Sequence, residues 1–371
     1  MSKKAIYLAG GGARGAYQAG VLKAIQTILS VKKIPFDMIS GVSVGSINAG
    51  VLAEYADDFS VAVEKLIAIW SNLHCHTIFN ASNFALSKSV MRNVSNLIVR
   101  QRQSGFLLDT SPLRRLIEDN LDPNRIKLNL AERNFETLEV MTQCYDTHQT
   151  ISFYEHHFPS FEDWYYPRHI SKRADIGIDH ILASSALPLF FPAVHVNGYH
   201  YGDGSMGLIS PLRGVIRFQV EKVMILGTRQ APQFLAEPEP SETREVGFAH
   251  VLGGIMNSLF ADNLDRDIEL VNRMNDIAKL LSLWKKRRSP WRPIETLYLR
   301  PTEDVAVMAR DKYMYMPTLL RLMLNVLGAK NQSGELLSFL LFERPFTESL
   351  IELGYSDTMK RANDVIKFFA N

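Results

Sequence analysis

Five short apolar runs recur along the chain, and each is followed by a stretch whose apolar residues have helical spacing. Runs of this length are typical of strands that are buried on both faces of a sheet. Strands that alternate with helices predict βαβ units, and hence an α/β fold with a mostly parallel central sheet flanked by helices. The predicted strands are residues 5–9, 36–40, 138–144, 223–227 and 296–299.

The same spacing predicts a helical C-terminal part. Residues 254–284 have the pattern of one long amphipathic helix or a broken pair, and the pattern after about residue 305 is helical to the end. We expect an α/β domain over 1–304, with 305–371 as a helical C-terminal extension packed on it. Residues 71–106 are rich in Asn, Ser, His and Arg, which predicts an insertion. It is either a lid over a site or a surface subdomain.

The segment AVHVNGYHYGDG, residues 193–204, is typical of a β-hairpin. Two alternating strands flank Asn197-Gly198, a pair that readily takes the positive φ angles of a tight turn. Asp203 falls just beyond the second strand, on a loop flanked by glycines. The hairpin therefore predicts a carboxylate that is held in place by a rigid element.

The segment FDMISGVSVGSINAG contains the Gly-x-Ser-x-Gly pattern at Gly41, Ser43 and Gly45. The pattern lies between a predicted strand and a predicted helix, the context in which it forms a nucleophile elbow. In such an elbow a sharp turn projects the serine hydroxyl from the end of the sheet. A chance turn of small residues is the alternative. Ser43 is the candidate nucleophile, and Ser46 fits better as a polar residue of the first helical turn.

The first predicted strand leads into LAGGGARGAY, where Gly10, Gly12 and Gly15 have the Gly-x-Gly-x-x-Gly spacing of phosphate-binding loops. A dinucleotide site needs an acidic residue at the end of the second strand, but the elbow occupies that position. Neighbouring parallel strands present their carboxyl ends at one edge of a sheet, which places this loop beside the elbow. The amides of Gly10, Gly11 and Gly12 are therefore predicted to form an oxyanion hole. Arg14 is either a positive charge nearby or a surface or helix-terminus arginine.

A nucleophilic serine needs a base to accept its proton. His180, His195 and His200 are candidates, but two of them fall in predicted hairpin strands and none has a distinctive setting. An aspartate with an ordinary pKa of about 3.9 is a weak base, and burial in a dry pocket raises that pKa. Asp203 is the better candidate because of its place on the hairpin.

Composition excludes some classes of protein. The chain of 371 residues has 41 basic and 39 acidic residues and a net charge of +2, so no global basic field favours nucleic acid. Cys75 and Cys144 lie outside any metal-ligand spacing, which predicts two buried free thiols and no metal site. The apolar run after Lys3 and Lys4 is too short for a signal peptide, and no run approaches about 20 apolar residues. We expect a cytoplasmic protein.

The segment LWKKRRSPWRP, residues 283–293, contains a local cluster of positive charge. Its four consecutive basic residues are flanked by tryptophans, a composition that suits an anionic membrane surface. A solvated helix end is an equally good interpretation. Peripheral membrane contact through this cluster therefore stays open. The four residues are Lys285, Lys286, Arg287 and Arg288.

Four motifs, in this order, resemble the patatin-like phospholipase family in its bacterial branch. They are GGGARG at 10–15, GVSVG at 41–45, ASSALP at 183–188 and Asp203-Gly204, and the segments at 106–121 and 353–362 strengthen the match. The resemblance spans most of the chain. It implies an α/β sheet related to the α/β hydrolases and the hydrolysis of acyl esters of glycerolipids, with no cofactor or catalytic metal.

The resemblance also implies a role for each motif residue. Ser43 is the nucleophile, Asp203 its base, and Gly10, Gly11, Gly12 and Arg14 the oxyanion site, with Gly15, Gly41, Gly45 and Gly204 as supporting motif residues. The family commonly has Asp-Gly-Gly where Ser205 follows Gly204 here. Phospholipids or lysophospholipids are the implied substrates. The alternatives are an acyl transferase or thioesterase with the same elbow, and a nucleotide-binding regulatory module that uses the glycine loop.

Overall fold

The computed structural model describes residues 2–79, 108–158, 160–231, 248–258, 263–280, 292–326 and 334–370. A ten-stranded sheet forms the centre of this part of the chain. The strands are β1 Lys4–Leu8, β2 Met38–Val42, β3 Thr137–Cys144, β4 Gln149–His156, β5 Tyr165–Tyr166, β6 His169–Arg173, β7 Val194–Val196, β8 Tyr199–Asp203, β9 Lys222–Leu226 and β10 Glu295–Leu299.

The strand order is β10-β9-β1-β2-β3-β4-β6-β5, with β8 paired to β3 and β7 paired to β8. Every neighbouring pair from β10 to β3 is parallel. The predicted mostly parallel sheet is confirmed, and each of the five predicted strands is present within two residues of its expected bounds. The hairpin is present too, as β7 and β8, with positive φ angles at Asn197 and Gly198.

The prediction that a helix follows the strand at 138–144 is wrong. β3 turns back into β4, which pairs with it in antiparallel fashion over its full length. The sequence of β4 does not form an apolar run, because polar residues interrupt it. Thr150 and Ser152 are buried in β4, where they hydrogen-bond to Gln143 and His169. Partners on neighbouring strands thus make these buried polar positions tolerable.

Fifteen α-helices lie among the described residues. They are α1 Ala16–Leu29, α2 Val44–Glu54, α3 Phe59–Ser71, α4 Cys75–Ile78, α5 Ser111–Asn120, α6 Pro123–Ala131, α7 Ile178–Ser184, α8 Arg213–Arg217, α9 Phe248–Asn257, α10 Asn263–Leu280, α11 Val305–Asp311, α12 Thr318–Val326, α13 Gly334–Leu340, α14 Arg344–Lys360 and α15 Ala362–Phe369. The described parts of the amphipathic stretch at 254–284 are helical and belong to α9 and α10, whereas residues 259–262 and 281–284 lie outside the described residues.

Helices cover both faces of the sheet, and β1 shows the alternation that this requires. Ile6 and Leu8 belong to the core shared with α1, α2, α3 and the C-terminal helices. Ala5 and Tyr7 belong to a second core, formed with α8 and α10 on the opposite face. Both faces of the parallel strands are thus removed from water, as the apolar runs predict.

The described residues after 304 are mostly helical, as the pattern predicts, and they pack on the α/β part. α14 lies along α1, where Gly20 lies against the backbone of Ile351 and Gly354 against that of Tyr17. Cys75 and Cys144 are both buried and free.

Two predicted features fall outside the described residues. They are most of the insertion at 71–106 and the basic cluster at 285–288. In the part of the chain that is described, no helix combines the length and apolar character needed to cross a membrane.

Candidate active site

The two candidate catalytic residues come together along one edge of β3. β2 pairs with this edge as far as Val42, which lies opposite Met141. β8 pairs with the same edge from the other direction and ends at Asp203, opposite Thr142. Asp203 is therefore the last residue of β8. The expectation that it lies on a loop beyond the strand is wrong. Because Ser43 follows Val42, the nucleophile candidate lies beside this carboxylate.

Ser43 occupies a sharp turn between β2 and α2. Its φ of 56° and ψ of −132° form a conformation that residues with a Cβ rarely adopt. Two glycines allow the turn to lie close to the sheet. A Cβ on Gly45 would overlap the carbonyl of Leu8, and a Cβ on Gly41 would overlap the carbonyl of Gly45. The strained geometry is that of a nucleophile elbow.

The hydroxyl of Ser43 donates a hydrogen bond of 2.5 Å to Oδ2 of Asp203. Ser43 is 3% exposed and Asp203 is fully buried. The other carboxylate oxygen, Oδ1, accepts from the backbone N–H of Ser205 at 2.9 Å, and the Asp203 N–H donates to the Ala186 carbonyl at 3.0 Å. Asp203 is thus held by its neighbours with one oxygen directed at the serine hydroxyl.

Burial raises the pKa of Asp203 to about 6. Hydrogen bonds from the Ser43 hydroxyl and the Ser205 N–H act in the opposite direction, because they stabilise the charged carboxylate. The Ser205 hydroxyl also lowers this pKa, although its oxygen forms no hydrogen bond to a described residue. A carboxylate with a pKa near 6 is ionised at neutral pH and is a stronger base than an ordinary aspartate.

Three further serines hold the backbone of the elbow. The Ser43 N–H donates to Ser184 Oγ at 2.9 Å, and the Ser184 hydroxyl donates to the Met141 carbonyl at 2.6 Å. The Ser43 carbonyl accepts from the hydroxyls of Ser46 at 2.6 Å and Ser185 at 3.1 Å. The only sequence signal for Ser184 and Ser185 is the motif ASSALP, which indicates no role for either residue by itself.

The glycine loop after β1 has a conformation that requires glycine. Gly11 has a φ of 155° and Gly12 a φ of 56°. A Cβ on Gly11 would overlap the side chain of Thr228, whose hydroxyl donates to the Gly10 carbonyl at 2.5 Å. The amides of Gly10, Gly11 and Gly12 donate to no described residue.

Arg14 is 2% exposed, so the interpretation as a surface arginine is wrong. Its Nε donates to Ser338 Oγ at 2.8 Å, Nη1 to Asn257 Oδ1 at 3.2 Å and Nη2 to the Glu335 carboxylate at 2.6 Å. The guanidinium also lies 4.0 Å from the ring centroid of Phe339. None of these contacts reaches the serine and aspartate. They tie the end of the glycine loop to α9 and α13.

The two other motif glycines allow close packing around the site. A Cβ on Gly15 would crowd the side chains of Val44 and Trp70. A Cβ on Gly204 would overlap the Met141 carbonyl on β3. The second contact lets the chain after Asp203 remain close to the sheet.

The three histidine candidates lie elsewhere in the fold. His180 is buried, with its ring 4.7 Å from that of Phe153, and burial lowers its pKa. His195 and His200 pack against each other on the hairpin, with ring centroids 5.3 Å apart. In the described part of the chain, no hydrogen bond joins any of the three to Ser43. The site therefore presents a Ser-Asp pair.

An apolar pocket of about 570 Å³, open to solvent, lies beside Ser43. Gly12 also lines it, which places the glycine loop and the nucleophile candidate on one cavity. The remaining lining is almost wholly hydrophobic, with Leu187, Phe191 and Phe339 among its side chains. A pocket lined by so few polar groups suits a hydrocarbon chain.

Two solved structures are similar in outline to this chain. One is VipD from Legionella pneumophila, with a TM-score of 0.42, 13% identity, and coverage of 98% of this chain and 67% of that one. The other is ExoU in complex with SpcU from Pseudomonas aeruginosa, with a TM-score of 0.27, 15% identity, and coverage of 91% and 70%.

Sequence comparison gives the family. A patatin-like phospholipase domain-containing protein of Caenorhabditis elegans is 45% identical over 67 residues, which cover 18% of this chain and 4% of that relative. The family model described as patatin-like phospholipase matches residues 6–216, more than half of the chain, and this span includes the glycine loop, the elbow and Asp203. The chain therefore belongs to the patatin-like phospholipase family.

Proposed function

We propose that the chain is a serine acyl hydrolase that cleaves fatty-acyl esters of phospholipids or lysophospholipids. The observation that carries the proposal is the hydrogen bond from the Ser43 hydroxyl to the buried carboxylate of Asp203, beside an apolar pocket. A hydroxyl next to a base supplies a nucleophile, and the pocket supplies a place for the acyl chain. Membership of the family supports lipid acyl hydrolysis in general.

In the first half-reaction Asp203 accepts the proton of Ser43 while Oγ attacks the ester carbonyl carbon. The tetrahedral intermediate then collapses, and the bond between the carbonyl carbon and the alcohol oxygen breaks. The proton on Asp203 passes to the departing alcohol. The alcohol leaves, and the acyl group remains as an ester on Ser43.

In the second half-reaction a water molecule attacks the acyl ester. Asp203, ionised again, accepts a proton from this water as the new bond forms. The second tetrahedral intermediate collapses and returns the proton to Ser43 Oγ. The fatty acid leaves, and the site is restored with no cofactor consumed.

The amides of Gly10, Gly11 and Gly12 are proposed to stabilise the oxyanion in both intermediates. These N–H groups donate to no described residue and Gly12 lines the pocket of Ser43, and both observations support this role. One such donor is worth about 10²–10³ in rate. Arg14 contributes by holding the loop through its bonds to α9 and α13.

The pocket bears on the two alternatives in different ways. Its hydrophobic lining favours an acyl chain over a nucleotide phosphate. It does not separate a hydrolase from an acyl transferase or thioesterase, because all three form the same acyl-enzyme and differ in the leaving group or the acceptor. Turnover of different acyl substrates is therefore needed to distinguish these activities.

The test compares the release of fatty acid from phosphatidylcholine, lysophosphatidylcholine and palmitoyl-CoA by the wild type, with Ser43→Ala as the blank. We expect release from at least one of the two phospholipids and none with the variant. Turnover of palmitoyl-CoA alone would make the protein a thioesterase. Inactivity on all three, together with a higher melting temperature in the presence of nucleotide, would favour the regulatory module.

A further inference from the structure

A second apolar space, here called the second chamber, lies next to the pocket beside Ser43. The two cavities share three lining residues, Ile47 of α2, Ile69 of α3 and Leu116 of α5. All three are partly exposed although they pack on the hydrophobic core. These three side chains, here called the neck, form the boundary between the two spaces.

The two chambers follow one another along α2. Val44, Ile47 and Val51 have the spacing of residues on one helix face. Val44 and Ile47 line the pocket beside Ser43, whereas Ile47 and Val51 line the second chamber. Because α2 begins directly after Ser43, its axis leads from the nucleophile, past the neck, into the second chamber.

The distance of each lining residue from Ser43 along α2 can be compared with the length of an acyl chain. Ile47 is four residues beyond Ser43, or about 6 Å along a helix, and Val51 is eight residues beyond, or about 12 Å. An extended hydrocarbon advances about 1.25 Å per carbon, given C–C bonds of about 1.5 Å. A chain of about five carbons therefore reaches the neck, and one of about ten carbons reaches Val51.

We propose that the neck and the second chamber determine the acyl-chain preference of the enzyme. Chains of about ten carbons or more pass between Ile47, Ile69 and Leu116 and bury their ends against Val51 and Ile181. Short chains stop at the neck. This inference rests on the proposed function, since it assigns the two chambers to the acyl group that Ser43 receives.

The lining of the second chamber fits a methyl terminus. Its residues are Ile, Val and Leu side chains together with Asn120, whose amide donates to the Leu116 carbonyl at 2.8 Å. The one polar side chain is thus already bonded to its own helix. Each methylene buried there strengthens binding about three- to fourfold. Three or more methylenes beyond the neck therefore give at least a tenfold preference for long chains.

The test measures kcat/KM for the nitrophenyl esters of butyrate, hexanoate, octanoate, decanoate and laurate. Asn120→Trp fills the second chamber from its partly exposed rim, and Asn120 does not line the pocket beside Ser43. Ile47→Phe narrows the neck itself. We expect the ratio of laurate to butyrate turnover to fall at least tenfold in both variants.

Asp119→Trp is the matched control, because Asp119 is the exposed neighbour of Asn120 on α5 and lines neither chamber. Its ratio of laurate to butyrate turnover should equal that of the wild type. An unchanged ratio in both Asn120→Trp and Ile47→Phe overturns the inference while leaving the hydrolase intact. A wild type that hydrolyses none of the five esters overturns the proposed function, and this inference with it.

Discussion

Gly12 lies directly against the carbonyl group of Phe339, with no space for a Cβ between them. Phe339 also lines the pocket beside Ser43, and its ring lies under the guanidinium of Arg14. One residue of α13 therefore contacts the glycine loop through its backbone and bounds the acyl pocket through its side chain. The conformation of the proposed oxyanion site depends on a helix from the far end of the chain.

Gly12→Ala should reduce kcat by about 10²-fold or more, because the new methyl group must displace the loop amides from the reacting carbonyl. The positive φ of Gly12 adds strain, so stability falls as well. The measurement is kcat and KM on a soluble ester, with thermal unfolding followed in parallel.

Gly254→Ala is the control for this substitution. Gly254 is an exposed residue of α9, and a Cβ there meets nothing within 4 Å. Alanine should leave kcat unchanged and stabilise the helix by up to about 1 kcal/mol. Full activity in a folded Gly12→Ala protein would exclude the loop from the oxyanion site.

The rate should depend on one ionisation, that of Asp203. Because the base must be deprotonated and burial raises its pKa to about 6, kcat/KM should fall about tenfold per pH unit below that value and level off above it. A soluble ester with no ionisable group is the substrate for this profile.

Ser205→Ala provides an internal check on the assignment of that ionisation. The Ser205 hydroxyl lowers the pKa of Asp203, so its removal should move the midpoint of the profile to higher pH. A wild-type profile with no inflection between about pH 5 and 7 would contradict the role of Asp203 as the base.

Stability should depend on pH through a second buried acid, Glu139. Burial raises the pKa of Glu139 to about 7, and the hydrogen bond from the Ser40 hydroxyl acts in the opposite direction. The native state therefore keeps a proton that the unfolded chain releases above its ordinary pKa of 4.5. The protonated Glu139 side chain thus contributes to the free energy of unfolding. This contribution is fully present below about pH 4.5 and is lost as the pH rises through about 7.

Glu139→Gln should remove this dependence, because the amide stays neutral. The variant should match the wild type near pH 5 and exceed it near pH 8 by on the order of 2 kcal/mol in the free energy of unfolding. Urea unfolding at the two pH values measures the difference. An equal gap between variant and wild type at both values would show that Glu139 does not titrate in this range.

The basic cluster at 285–288 carries the membrane hypothesis. Each basic residue near an anionic surface is worth about 1 kcal/mol, so replacing Lys285, Lys286, Arg287 and Arg288 with glutamine should weaken vesicle binding strongly. Sedimentation with phosphatidylserine vesicles measures this, with phosphatidylcholine vesicles as the neutral control. Unchanged sedimentation of the variant would leave the cluster as a solvated helix end.

Local patterns in the sequence carry much of the fold and part of the site. The elbow around Ser43 and the hairpin that ends at Asp203 are each encoded within a few residues, because turn geometry and strand alternation are local properties. The apolar runs predict the parallel strands for the same reason. Whether two such segments meet depends on the register of β3, which joins Val42 and Asp203 at Met141 and Thr142.

Long-range contacts account for what the sequence did not indicate. The partners of Arg14 on α9 and α13 lie hundreds of positions away, and nothing near Arg14 marks it as buried. The sequence does not predict β4, because its buried polar residues hydrogen-bond to neighbouring strands and these partners cannot be read from periodicity. The pocket beside Ser43 is lined mainly by α2, α3, α5 and α13, so its shape is a property of tertiary packing.

The most direct test of the proposed mechanism is the kcat of Ser43→Ala, Asp203→Asn and the double variant on one ester, with folding checked by thermal unfolding. If the two residues act as a unit, each single variant loses about 10³-fold or more, and the double variant loses no more than the worse single one. Turnover that survives Ser43→Ala, or losses that multiply in the double variant, would contradict a Ser43-Asp203 dyad.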